Sequence, residues 1–278
     1  MSIRNFYFAI IVFTLIGSGN SFAQEAEFKE EYSTAIEDNS MLIEEAYNQE
    51  DRVVQHISNF TYASSPSKDF MYAFTQEWPA FGLKHQLSYT VPYYSLSGGT
   101  FSGIGDVMLN YRYQLTYKDA WATIAPRISL VLPTGAEDKG LGTGGVGAEF
   151  NLPISKRISE SFVTHVNVGA RYNSRIQDKV LSFDGSTTNF FAGISGIWLV
   201  TQNFNVMLET LTNFEAVPIG ADEVEYVNET VVAPGLRGAI DIGDLQIVPG
   251  FAVPISYSSE NTDARTSMFF YLSFEHPF

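Results

Sequence analysis

The charged side chains in the body of this chain recur on one phase of alternating segments. Lys84, Arg112, Arg127, Arg171 and Arg237 stand with Asp106, Glu149, Glu209 and Glu275 on the polar side of stretches whose other side is apolar. Cations and carboxylates facing one another around a common axis can orient a solute, as charged rings do in channels. The same set can also neutralise itself as a packed polar interior, and residue types alone do not choose between the two. Among the four histidines only His165 falls on that polar phase within a segment. Nucleophilic chemistry would need a serine and an orienting group beside it, and no motif supplies them, so hydrogen bonding is the expected role and a lipid-modifying enzyme the minor alternative. There is no cysteine, which excludes thiolate metal sites and disulfides. Gly140-Leu141-Gly142-Thr143-Gly144-Gly145 resembles a dinucleotide fingerprint, but no helix pattern follows it and no cofactor is expected.

These side chains need elements with a period of two. Twelve candidate strands run over Val53–Ala63, Asp69–Trp78, Phe81–Tyr94, Gly103–Tyr117, Trp121–Leu132, Gly144–Pro153, Glu160–Asn173, Thr188–Val200, Asn203–Asn213, Glu229–Ile242, Leu245–Tyr257 and Arg265–Phe278. In the fourth, Val107, Leu109, Tyr111, Tyr113 and Leu115 oppose Asp106, Met108, Asn110, Arg112 and Gln114. In the seventh, Thr164, Val166, Val168, Ala170 and Tyr172 oppose His165, Asn167, Arg171 and Asn173. The first strand is ambiguous in phase, and Phe190–Val200 is apolar on both faces. Each cation on a lipid-facing position would cost about 2–4 kcal/mol at a bilayer midplane, so the charges belong inside. Trp78, Tyr93, Tyr113, Trp198, Tyr257 and Phe278 fall toward strand ends, where aromatic girdles form.

Connection lengths give an independent argument. Pro79-Ala80, Lys118-Asp119-Ala120, Thr201-Gln202 and Gly243-Asp244 are short, whereas Thr134–Gly142, Ser174–Thr187 and Phe214–Asn228 are long. Short turns on one rim and long loops on the other are expected of a transmembrane antiparallel up-and-down β-barrel, with the short rim and both termini periplasmic. A soluble sandwich or lipocalin-like barrel is the alternative, and it would reverse the faces. Twelve tilted strands enclose a backbone cylinder on the order of 12 Å in radius, which side chains reduce to a narrow channel.

The ends agree with export. Arg4, the apolar run Phe6–Ile16 and Ser21-Phe22-Ala23 read as a signal peptide over residues 1–23, leaving an acidic segment 24–52 and a barrel from 53 to 278. With 16 lysines and arginines against 31 acids, nucleic acid is not an expected partner. Residues 24–50 hold nine acids and one lysine. Leu42 with Ala46 and Ile43 with Tyr47 allow a short helix, and Glu44, Glu45, Tyr47, Asn48 and Gln49 are candidates for a plug at the periplasmic mouth or in the lumen. The final strand closes on Phe278 and resembles the signature that the barrel-assembly machinery reads, with His276 departing from it. Lipid and lipopolysaccharide are the expected surroundings, and Asp222, Glu223 and Glu225 are acidic loop residues that can meet cations there.

Three stretches carry a family resemblance: Glu44-Glu45-Ala46-Tyr47-Asn48-Gln49-Glu50 with Val53-Val54-Gln55-His56-Ile57; Gly103-Ile104-Gly105-Asp106-Val107; and Leu132-Pro133-Thr134-Gly135 with Gly140–Gly144. Together they look like the outer-membrane family named for the MetA pathway of phenol degradation. That resemblance implies a barrel that admits small, often aromatic, molecules. The expectation is therefore an outer-membrane channel for small solutes, with a structural or lipid-binding barrel as the alternative.

Overall fold

Alternating apolar and polar residues, punctuated by Gly, Pro and Asn, leave this chain no other way to satisfy its backbone than side-by-side strands. The computed structural model describes Ile36, Glu37, residues 41–178 and residues 180–278. All of these lie in one compact unit, Ser33–Phe278. The expected signal peptide, most of the acidic segment and the first unit, Met1–Tyr32, lie outside the described residues.

The strands are β1 (Val53–Ala63), β2 (Asp69–Pro79), β3 (His85–Leu96), β4 (Phe101–Ile104), β5 (Val107–Tyr113), β6 (Thr123–Ile124), β7 (Arg127–Leu132) and β8 (Gly147–Ser159). They continue as β9 (Phe162–Asp178), β10 (Phe183–Thr201), β11 (Phe204–Gly220), β12 (Glu223–Gly238), β13 (Ile240–Ile242), β14 (Leu245–Ala252), β15 (Ile255–Ser258) and β16 (Asn261–Pro277). Every pairing is antiparallel, and β1 zips to β16 from Val53↔Pro277 to Ala63↔Ser267, which closes the sheet. The segments form twelve staves, because β4 with β5, β6 with β7, β12 with β13, and β14 with β15 are each one interrupted stave. Two of these interruptions hold proline, which donates no ladder hydrogen bond. The chain compensates through Tyr113 N–H to Pro126 O at 3.0 Å and Ser267 N–H to Pro254 O at 3.0 Å.

The two faces carry opposite chemistry. Buried inside are Gln55, Gln86, Ser88, Asn110, Arg112, Ser129, Asn151, His165, Asn167, Asn205, Glu209, Arg237 and Ser273. On the outside Leu109, Leu130, Phe150, Val168, Ile194, Leu208, Leu236 and Phe270 are each more than two-fifths exposed. A soluble sandwich would show the reverse. The ambiguous β1 turns Gln55 and Asn59 inward, and β10 resolves with Ile197 and Leu199 inside an apolar patch that also holds Ile36 and Met41. Among the described residues no helix is long and apolar enough to cross a membrane.

Three expectations are corrected. The connections Ser174–Thr187 and Phe214–Asn228 are not long loops: β9 and β10 pair up to Asp178↔Phe183, and β11 and β12 up to Gly220↔Glu223. Their polar composition mimics a loop, but Ile176, Phe183, Val217 and Val224 keep the ladder going on β propensity. The third strand begins at His85, because Phe81 and Gly82 take left-handed backbone (φ 57 and 99) and extend the turn. The one expected long loop that remains, after β7, carries a 3-10 turn over Glu137–Lys139 ended by Gly140 at φ 69.

Candidate functional site

The inward side chains converge on the leader before β1. Ile36 donates its N–H to Gln202 O at the short-turn rim, and its carbonyl accepts from Asn205 Nδ2 at 2.6 Å and Arg237 at 3.1 Å. The Glu37 carboxylate pairs with Arg157 and, at 3.8 Å, with Lys118. Deeper in the barrel, the N–H groups of Met41 and Leu42 reach the Glu209 carboxylate at 3.3 and 2.7 Å. Glu44 is clasped by one amide, its N–H donating to Asn167 Oδ1 and its carbonyl accepting from Asn167 Nδ2, both at 2.7 Å. The chain then returns: Ala46 N–H meets Ser155 Oγ at 2.7 Å, Asn48 N–H meets Gln114 Oε1 at 2.9 Å, and Gln49 N–H meets Gln86 Oε1 at 2.7 Å. Ile36 and Gln49 thus lie toward the short-turn rim, and Met41–Glu44 lies deeper in the lumen.

The possible helix over Met41–Tyr47 does not form. A helix spends each N–H on the carbonyl four residues back, whereas these N–H groups are held by barrel side chains. The wall fits the apolar part of the leader as well. A Cβ at Gly193 would collide with Ile43 Cδ1, and one at Gly250 would stand 2.9 Å from Met41 Cε.

A cluster of ion pairs is centred on Glu44. Its carboxylate accepts from Arg112, from Arg127 Nε at 2.8 Å and from Asn151 Nδ2 at 2.8 Å. Arg127 also reaches Glu149 at 2.8 Å, and Arg171 lies 4.0 Å from the other oxygen of Glu149. Arg112 donates to Tyr47 O at 2.7 Å and stands 4.0 Å from Glu45. Burial pushes the Glu44 carboxyl up, but the guanidinium groups of Arg127 and Arg112 outweigh it and hold it down to about 2. On the long-loop side of the leader a cavity of about 280 Å³ is lined by Leu42, Glu44, Glu77, Ser88, Asn110, Arg112, Arg127 and Tyr271 among others.

The remaining candidates divide. Glu275 is inward and accepts from Gln55 Nε2 at 3.3 Å, while Gln49 Nε2 donates to Gln55 Oε1 at 2.7 Å. His165 does have a serine: Ser155 Oγ lies 2.7 Å from Nδ1, and Nε2 lies 3.0 Å from Glu37 O. Both residues are fully buried under the leader, and the second ring nitrogen meets a backbone carbonyl rather than a carboxylate, so the pair anchors Ala46 and Glu37. Lys84 does not line the lumen, since it is exposed in the turn before β3. Phe278 donates its N–H to Arg52 O at 2.8 Å, tying the end of β16 to the start of β1.

Asp106 is not a lumen charge either. It is buried where the stave breaks between β4 and β5, and it accepts from Gly135 N–H at 3.0 Å and from Thr143 N–H and Oγ1 at 2.8 and 3.0 Å. This clasp gives the two Gly-rich motifs a structural reason, because it holds both ends of the loop after β7. Asp106→Ala is expected to cost about 1–3 kcal/mol locally and to speed limited proteolysis between Gly135 and Thr143. Unchanged cleavage would show that the loop is held elsewhere.

Sequence reasoning missed Asn151, Asn167, Ser155, Gln86 and Gln114, which hold the leader, and buried Glu77, which accepts from Gln86 Nε2 at 2.7 Å. The inward phase of the amides was readable, but neutral amides carry no signal that distinguishes a ligand from wall; Ser155 was expected in a connection over Ile154–Ser159, which instead continues β8. No group of three or more potential metal ligands occurs among the described residues.

No family model matches the chain, and no curated protein resembles it significantly in sequence. Solved structures do share its fold. The chain is 14% identical to the COG4313 outer membrane channel from Pseudomonas putida F1, with a TM-score of 0.60 over 84% of this chain and 98% of that one. It is 10% identical to the NanC porin, with a TM-score of 0.54 over 80% of this chain and 98% of that one. Both likenesses establish the fold: a closed, antiparallel, twelve-stave barrel of the kind those proteins form.

Proposed function

We propose that this protein is an outer-membrane channel for small molecules whose lumen is held shut by the leader residues Ile36, Glu37 and 41–50. The observation that carries this reading is the inverted distribution of polarity, with amides, hydroxyls and ion pairs inside and Leu, Val, Ile and Phe outside. Only a protein surrounded by hydrocarbon gains from that arrangement. The short-turn rim, where both the leader and the C-terminal strand end, is assigned to the periplasm by the rule for bacterial barrels. The named functions of the two structural neighbours, an outer membrane channel and a porin, point the same way. The motif resemblance to the MetA-like family supports small solutes, aromatic ones among them.

The test is conductance in planar bilayers. The full chain is expected to be nearly silent, and a form lacking residues 24–50 to conduct at least roughly tenfold more, because removing the leader opens a lumen that side chains alone do not fill at this strand number. Liposome swelling with small sugars should follow the same order. If neither form conducts, the channel reading fails and a structural barrel takes its place.

A further inference from the structure

Arg112 and Arg127 are direct cross-strand partners on β5 and β7. Like charges placed opposite one another on neighbouring strands repel, so an anion between them is what makes the pairing tolerable. Arg127 has a barrel carboxylate in Glu149. Arg112 differs: the barrel carboxylate of Glu77 acts on it through charge, but its hydrogen bonds among the described residues go to the leader, to Tyr47 O and the Glu44 carboxylate, although it is only 3% exposed. With Asn151 Nδ2 as a further donor, the wall presents two guanidinium groups and an amide to a single carboxylate. Such planar, charge-assisted donors match a carboxylate closely.

The site also has a way in. Arg112 and Arg127 line the cavity of about 280 Å³, together with the hydroxyl and amide groups of Ser88, Thr90 and Asn110 and the apolar Met108 and Tyr271. That volume is near the lower end of small-molecule pockets and suits a body of a few carbon atoms carrying hydroxyl groups. Glu77 and Glu149 line the same cavity, so a second negative charge on the solute would meet carboxylates.

We propose that Arg112, Arg127 and Asn151 form a binding site for the carboxylate of a small organic acid, that Glu44 fills this site with the chain's own carboxylate while the leader is docked, and that a monocarboxylate entering the cavity displaces Glu44 and opens the channel. This inference rests on the channel reading and names its solute class. Displacement exchanges one set of ion pairs for an equivalent one at Arg112 and Arg127, while Glu209, Asn167, Ser155, Gln114 and Gln86, which held the leader's backbone, turn to the water of the opened lumen. An uncharged solute offers no such exchange, since a ligand shifts an equilibrium only through its difference in affinity for the two states.

The experiment compares gluconate with sorbitol, which differ at one end by a carboxylate. In planar bilayers at neutral pH, millimolar gluconate is expected to raise the open fraction of the full chain by about tenfold, and sorbitol at the same concentration to leave it unchanged. In channels lacking residues 24–50, gluconate should interrupt the current as it occupies the site, and Arg112→Gln should weaken that block by at least about tenfold. Equal effects of gluconate and sorbitol on the full chain would overturn the proposal. So would a gluconate block that Arg112→Gln leaves intact. If the leaderless channel conducts while gluconate opens nothing, this inference alone falls; if the leaderless form does not conduct, the channel reading falls with it.

Discussion

A Glu44→Lys protein is expected to conduct under conditions where the native protein is closed. The substitution removes the carboxylate held by Arg112, Arg127 and Asn151 and places a third cation among the two guanidinium groups. Breaking one side of a buried ion pair costs about 3–5 kcal/mol, which moves a docking equilibrium by roughly two to nearly four decades. The barrel itself should be unaffected, because β1 closes on β16 through a backbone ladder that does not include the leader. The readouts are single-channel open fraction and protease cleavage after Tyr47, which is shielded while docked. Acid should act through the same group. Because the docked carboxyl is held down to about 2 from an ordinary 4.5, its contribution to docking is complete above pH 4.5 and disappears as pH falls toward 2. Native channels should therefore open progressively across that window, and Glu44→Gln should lack this component at every pH. A Glu44→Lys protein as silent and protease-resistant as the native one would remove Glu44 from the closing mechanism.

The second large effect separates the two faces of a single strand. Leu109, 46% exposed and paired with Tyr89 and Leu130, lies on the outer side of β5, whereas its neighbour Met108 lines the cavity. Leu109→Arg is expected to destabilise the folded barrel by about 2–4 kcal/mol, the cost of an arginine near the bilayer midplane. Met108→Arg should cost much less, because its guanidinium enters a polar cavity beside Glu149. Urea unfolding in lipid vesicles, followed by the heat-modifiable shift of the folded barrel on gels, measures both. Equal destabilisation by the two substitutions would contradict the assignment of faces.

What the sequence revealed and what it hid follow from the range of the interactions involved. Which face each residue of β5 or β9 takes was legible, because alternation is local and a single misplaced arginine is costly. The apolar doubling of Phe190–Val200 had a cause that alternation cannot show: Ile197 and Leu199 pack in the same cluster as Ile36 and Met41, which lie more than a hundred and fifty residues away in sequence. Glu44 and its neighbours were recognised as candidates to enter the lumen, yet Asn167, Ser155 and Gln86, the groups that capture their backbone, look like any polar wall residue until the chain is seen to cross. The helix expected from i,i+4 spacing failed for the same reason, since that pattern counts only partners within the segment. Alternation places Lys84 inside only if a strand runs through Phe81 and Gly82, whose left-handed backbone no periodicity reports. Hairpin extensions beyond Asn173 and Asn213 were misjudged because polar strands and loops share a composition.

Ile36 and Gln49 lie toward the same rim, and the chain continues into β1 at Val53, only a few residues after its last lumen contact at Gln49. An expelled leader therefore stays leashed beside its berth, at an effective concentration in the millimolar range for so short a flexible link. Reclosure is then a first-order event, independent of how many copies of the protein share the membrane. In the absence of a competing carboxylate, currents through a single molecule should arrive as brief, self-terminating bursts whose durations are set by the leash.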